Sequence, residues 1–119
     1  MIGFFVLVYA AASLFHHVHN AEFLADYPNM PLWLTRSAVY GAWLVTTLIG
    51  IVGWLLLRKG DRLKGLALVA FYGAAGLYGF AHYALAPAAA HTFAMNLSIW
   101  LEAATGLLLL STAVYMATR

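Results

Sequence analysis

The sequence predicts an all-α integral membrane protein, a bundle of four transmembrane helices with both termini cytoplasmic. Three observations carry this. Of 119 residues, 65% are hydrophobic and 8% charged, where soluble domains carry about 25% charged residues. The mean hydropathy is +0.86. Apolar runs recur at spacings set by three proline- or charge-bearing breaks. Residues 1–119 are read as a single transmembrane domain.

Each span follows from length. About 20 apolar residues cover about 30 Å of hydrocarbon at about 1.5 Å per residue. The first span is expected over Ile2–Phe23 and the second over Leu32–Leu57. The third is expected over Leu63–Ala86 and the fourth over Thr92–Met116. Pro28 and Pro31 break the chain after the first span, "RKGDRLKG" (Arg58–Gly65) after the second, and Pro87 after the third. Short connections make neighbouring spans antiparallel. No positive charge precedes the first apolar run, so it reads as a span and not as a cleaved leader.

Charge sets the expected orientation. Arg58, Lys59, Arg62 and Lys64 share the second loop, which the positive-inside rule places in the cytoplasm. The pI near 9.1 is therefore a topology signal and not a nucleic-acid footprint. The expected setting is a bacterial inner (plasma) membrane, with the first and third loops on the extracytoplasmic side. The partners are the lipid bilayer and a homodimer or larger membrane complex, with no nucleic acid.

The polar residues concentrate at that outer level. "LFHHVHNAEFLADYPNMP" supplies His16, His17, His19, Asn20, Glu22 and Asp26, while His82 ends the third span and His91 opens the fourth. Positions three and four apart share a helix face. His16, His19, Glu22 and Asp26 then form one stripe, from which His17 points away, and Asn20 flanks His16. His91, Met95, Ser98, Glu102 and Thr105 form another, and Tyr78 shares the face of His82. Arg36, Tyr40, Trp43, Thr47 and Trp54 align on the second span. Glu102 is the eleventh residue of the fourth span, near mid-membrane. A carboxylate so deep is costly and faces the bundle interior or a water-filled cavity. It is expected to be protonated, paired or metal-linked.

Imidazole with carboxylate is a donor set for a transition metal. The expected ligands are His16, His19, Glu22, His82, His91 and Glu102, with Glu102 and Glu22 as the candidate catalytic groups. The metal is Zn, Fe, Cu(II), Mn or Ni. Zero cysteines and only four methionines weigh against a dedicated Cu(I) site, and the lack of cysteine excludes disulfides and thiolate chemistry. Such a site would serve a metalloenzyme acting on a lipid-soluble substrate, or a metal carrier. One alternative is a small proton-coupled transporter using Glu102. In length and span number the chain resembles the small multidrug resistance exporters, which work as dimers. Its deep carboxylate stands on the fourth span and not the first, so no residue carries over. The other alternative is an accessory subunit of a respiratory or photosynthetic complex that binds haem or a quinone. The "GLALVAFYGAAGLYGF" stretch of the third span, with Gly73, Gly76 and Gly79, is expected to pack closely on a neighbour.

Overall fold

The computed structural model describes residues 1–119 and contains four helical segments long and apolar enough to cross a membrane. Helix α1 is Ile2–Glu22 and α2 is Arg36–Arg58. The third segment is α3 (Arg62–Ala75), a 3-10 stretch (Gly76–Phe80) and α4 (Ala81–Leu85). Helix α5 is Phe93–Ala117. The bundle measures 44 × 25 × 19 Å, long enough to bridge a bilayer core. Its outer faces are oily: Leu7 is 70% exposed, Val45 59% and Leu107 50%. So much bare aliphatic surface suits lipid and not water.

The helix starts are set by caps. Thr35 Oγ1 accepts from Ala38 N at 3.1 Å, so α2 begins at Arg36, four residues beyond the Leu32 the hydropathy predicts. Thr92 caps α5 in the same way at 3.2 Å, and the Asp61 side chain caps α3. Each such cap satisfies an amide that the first turn leaves orphaned. Gly60, at φ 90°, supplies the left-handed residue that the tight α2–α3 turn needs. The Arg62 guanidinium donates to the Met116 carbonyl, tying the start of α3 to the end of α5. Both chain ends and the Arg58–Arg62 turn thus share one end of the bundle.

The helices form a closed ring in the order α1, α2, α3, α5. Two seams are very tight. On the α3–α5 seam, a Cβ built on Gly73 would stand 2.7 Å from both the Gly106 carbonyl oxygen and the Leu110 nitrogen. On the α2–α3 seam, Gly53 and Gly65 face each other's backbones. The α1–α2 seam is the loosest. At the end holding the chain termini, Val6, Tyr9, Leu66, Val69, Tyr72, Leu109 and Ala113 make an apolar core. Towards the other end the same interior turns polar. The buried stripe of α1 runs Val6, Tyr9, Ser13, His16, Asn20, in steps of three and four.

The third span is not one continuous α-helix, as its hydropathy predicts. It tightens to 3-10 over Gly76–Phe80. There a Cβ on Gly76 would lie 2.9 Å from the carbonyl oxygen of Glu102. Close approach to α5 occurs where the winding changes, and 3-10 stretches inside helices mark strain or hinges.

Candidate functional site

Glu102 lies nine residues beyond Phe93, about 14 Å along α5 at 1.5 Å per residue. It is 2% exposed. Ser13 Oγ donates to its Oε1 at 2.8 Å. His17 Nδ1 stands 3.4 Å from the same oxygen, and His16 Nε2 stands 3.6 Å from Oε2. Gly79 makes room for the carboxylate, since a Cβ there would lie 3.3 Å from Oε2.

The hydrogen bonds fix the histidine tautomers. Ser98 donates its one hydroxyl hydrogen to the Met95 carbonyl at 2.9 Å. It therefore accepts from His16 Nδ1–H, 3.0 Å away. His16 Nε2 is then left bare towards Glu102. His17 Nδ1–H donates to the Ser13 carbonyl at 2.8 Å, which leaves its Nε2 bare as well. Asn20 Nδ2 donates to His82 Nε2 at 2.9 Å. Three spans thus meet in one polar network, with the rings of His16 and His82 5.5 Å apart.

The expected residues divide. His16, His82 and Glu102 come together. His17 also joins them, against the expectation that it points away. Ser13 draws Glu102 between two successive turns of α1, within reach of both His16 and His17. His19 leaves the cluster and contacts Tyr27 through Nδ1 at 2.9 Å. Glu22 also leaves it. Its Oε1 accepts from Arg36 and Tyr40 at 2.6 Å each, on the exposed side of α1. At about 100° per residue, Glu22 falls nearly opposite the centre of the stripe from Val6 to Asn20. Asp26 is exposed. His91 lies beyond His82, with ring centroids 6.1 Å apart and Tyr27 packed against both. No three histidine or carboxylate side chains converge on one point as a metal would require. Ser13, His17 and Gly79 are the members that sequence reasoning misses. A lone serine or glycine in an oily span gives no signal until its neighbour is known.

The cluster forms one wall of a cavity of about 770 Å³ between α1, α2 and the third span. The other walls are mainly apolar, from Val39 and Ala42 of α2 to Phe71 and Ala75 of α3. The α1–α2 connection covers it with Met30, Pro31, Trp33 and Leu34. Asn29, at φ 57°, holds this cover down by donating to the Leu85 carbonyl at 2.9 Å. The cavity reaches the surface beside Trp33 (76% exposed) and Tyr78 (82% exposed). Tyr27 underlies the same connection, and burial pushes its phenol above the ordinary range, so it serves as a neutral donor.

No family model, no curated protein and no solved structure matches this chain.

Proposed function

We propose that this protein binds a lipid-soluble molecule with a hydrogen-bonding polar head, of the quinone kind, and that Glu102 exchanges protons with that head as an electron-carrying partner in the membrane reduces or oxidises it. The supporting observation is the cavity of about 770 Å³, oily on most sides and ending on a carboxyl group held by Ser13, His16 and His17. Small-molecule sites have this form: a few hundred to about a thousand Å³ of apolar wall with a few convergent polar groups. An intramembrane ionisable residue is itself a marker of function.

The chemistry follows from the tautomers. In its acid form Glu102 has one hydrogen and two acceptors for it, the bare Nε2 of His16 and an oxygen of the guest. His17, partly exposed and lining the cavity, offers a second bare nitrogen to relay the proton onward. The basic Arg58–Lys64 segment, read by the positive-inside rule, supports an outer-half position for the cluster, and the setting we propose is a bacterial plasma membrane. The guest enters from the bilayer beside Trp33 and Tyr78.

Tryptophan quenching tests the reading, because Trp33 lines the cavity. Purified protein in lipid nanodiscs is titrated with decyl-substituted benzoquinone. Saturable quenching that is lost on filling the cavity with Ala42→Trp supports it. Quenching that rises linearly with quinone, identically in both proteins, removes it.

A second reading, a bound transition metal, is favoured by one observation. His82 Nδ1 and His91 Nε2 are buried without a partner on neighbouring rings. His91 Nδ1–H donates to the Pro87 carbonyl at 3.0 Å, which leaves Nε2 bare and oriented as in a ligand histidine. Rotating the Asn20 amide, whose Oδ1 has no partner, would move the His82 hydrogen to Nε2 and free Nδ1, and guest or solvent would complete such a two-histidine site. Metal analysis of detergent-purified protein decides it: stoichiometric Zn, Fe, Cu, Mn or Ni that disappears in His91→Ala supports it, and a metal-free preparation removes it.

A further inference from the structure

We infer that the guest carries a single long apolar tail, which lies along the α1–α2 seam towards the end of the bundle that holds the chain termini. This rests on the proposed head-binding site and specifies the class of molecule it takes.

A second cavity, of about 460 Å³, lies on the same seam. Its walls are Gly3, Val6, Leu7 and Ala10 of α1, Thr47, Ile51 and Trp54 of α2, and Tyr72 of α3. The two cavities are lined by neighbouring residues of α1 and α2. Tyr9 and Thr46 line the first, and their chain neighbours Ala10 and Thr47 line the second. Together they run from His17 to Gly3, fourteen residues and about 21 Å along α1 at 1.5 Å per residue.

Polarity divides along this length. The first cavity ends on Glu102 and the histidines. The second has almost no polar lining, with Thr47 its one side-chain hydroxyl besides the Tyr72 phenol. An amphiphile matches that order, head at Glu102 and chain along the seam. The number of tails follows from the number of grooves. The α2–α3 and α3–α5 seams are closed by glycine contacts too tight for a Cβ. The second cavity lies on the α1–α2 seam and gives one chain a course away from the head site, whereas a second chain would leave for the lipid beside Trp33 and Tyr78, where the first cavity meets the third span.

Lipid tails are as apolar as the groove, so burial from the bilayer contributes little by itself. Tail selectivity must come from shape and packing, and it is read with ligand expressed per lipid so that partitioning cancels. The probes are a methyl-substituted benzoquinone without a tail and the same head with a decyl chain. The protein is full length in nanodiscs, and quenching of its tryptophans is the readout. The wild type is expected to bind the decyl ligand at least tenfold more tightly than the tailless head. Ala10→Phe, which fills the second cavity from α1, is expected to abolish that difference while leaving the tailless affinity within twofold. Thr47→Phe does the same from α2 and guards against one variant that misfolds. Equal wild-type affinity for the two ligands overturns the tail assignment and leaves the head site standing. So does a tenfold preference that survives both substitutions in folded protein. Failure of both ligands to bind saturably overturns the head site and this inference together.

Discussion

Replacing Glu102 separates the structural part of the polar cluster from the chemical part. Glu102→Gln keeps the shape. Ser13 still donates to the side-chain carbonyl across the 2.8 Å separation, and the new amide N–H₂ stands beside the bare Nε2 of His16, where the carboxylate oxygen lay 3.6 Å away. The expected stability loss is below about 1 kcal/mol, the net worth of one neutral hydrogen bond. Glu102→Leu keeps the volume but orphans the Ser13 hydroxyl. A buried orphan costs about 1–3 kcal/mol. Denaturation of micelle-embedded protein by increasing SDS, followed by circular dichroism, should order the midpoints wild type, then Gln closely behind, then Leu well below.

Binding should respond differently. In the proposed function a guest carbonyl is held by the carboxyl hydrogen, and that hydrogen is lost when pH rises through the ionisation of Glu102. Two acceptors then face each other in a dry site. An unsatisfied contact of about 1–3 kcal/mol weakens binding roughly 5- to 100-fold. Wild-type affinity for decyl benzoquinone should therefore fall as pH rises, whereas Glu102→Gln, whose amide cannot ionise, should bind at one affinity throughout. A Gln variant that retains the wild-type pH dependence would refute the assignment of Glu102 as the proton-exchanging group. A Leu variant as stable as Gln would refute the hydrogen-bond accounting.

Other outcomes follow from single contacts. Gly73→Leu forces a side chain against the backbone of Gly106 and Leu110, neither of which can rotate away, and overpacking of this sort costs about 1–3 kcal/mol or more in the same SDS assay. Arg36→Ala breaks an exposed pair with Glu22, so it should lower stability by less than about 1 kcal/mol and leave quinone affinity unchanged. Asn29→Ala removes the bond to the Leu85 carbonyl and puts a less tolerant residue at positive φ. It should speed proteolysis between Tyr27 and Leu34 before it alters the helical content.

The sequence makes the bundle legible because membrane length and hydropathy leave few options. Span ends shift only where a cap decides, as Thr35 does for α2. Depth is legible in part: the sequence sets His16 and His82 at one outer level and Glu102 deeper, and the structure brings the His16 ring to 3.6 Å from the carboxylate. The azimuth is not. A stripe drawn through His16, His19, Glu22 and Asp26 is one helix face, but the face that α1 buries is centred between His16 and Asn20. Hydropathy cannot make that choice in an oily helix, because both faces are greasy. The decision belongs to Tyr9 and Ser13, whose partners Tyr72 and Glu102 lie more than sixty residues away in the chain.

The glycines explain why a bundle this small has an interior space. Helices in lipid gain little from burying apolar surface, so they associate through close backbone approach and polar contacts. Gly53 and Gly65 draw α2 onto α3, and Gly73, Gly76 and Gly106 draw α3 onto α5. The hydrogen bonds of Ser13 and His16 draw α1 onto α5. Three sides of the ring are thus closed by specific devices. The fourth, α1 against α2, has Gly3 beneath Trp54 at one end and the exposed pairing of Glu22 with Arg36 and Tyr40 at the other. With three sides short and the ring still closed, the slack collects on the remaining side. The second cavity lies there, and the first extends from α1 and α2 to the third span. The 3-10 stretch at Gly76–Phe80 adds to it by drawing the third span towards α5 at the level of Glu102, which leaves α2 behind. The polar cluster and the oily space beside it therefore share one cause, the close approach of the third span to α5.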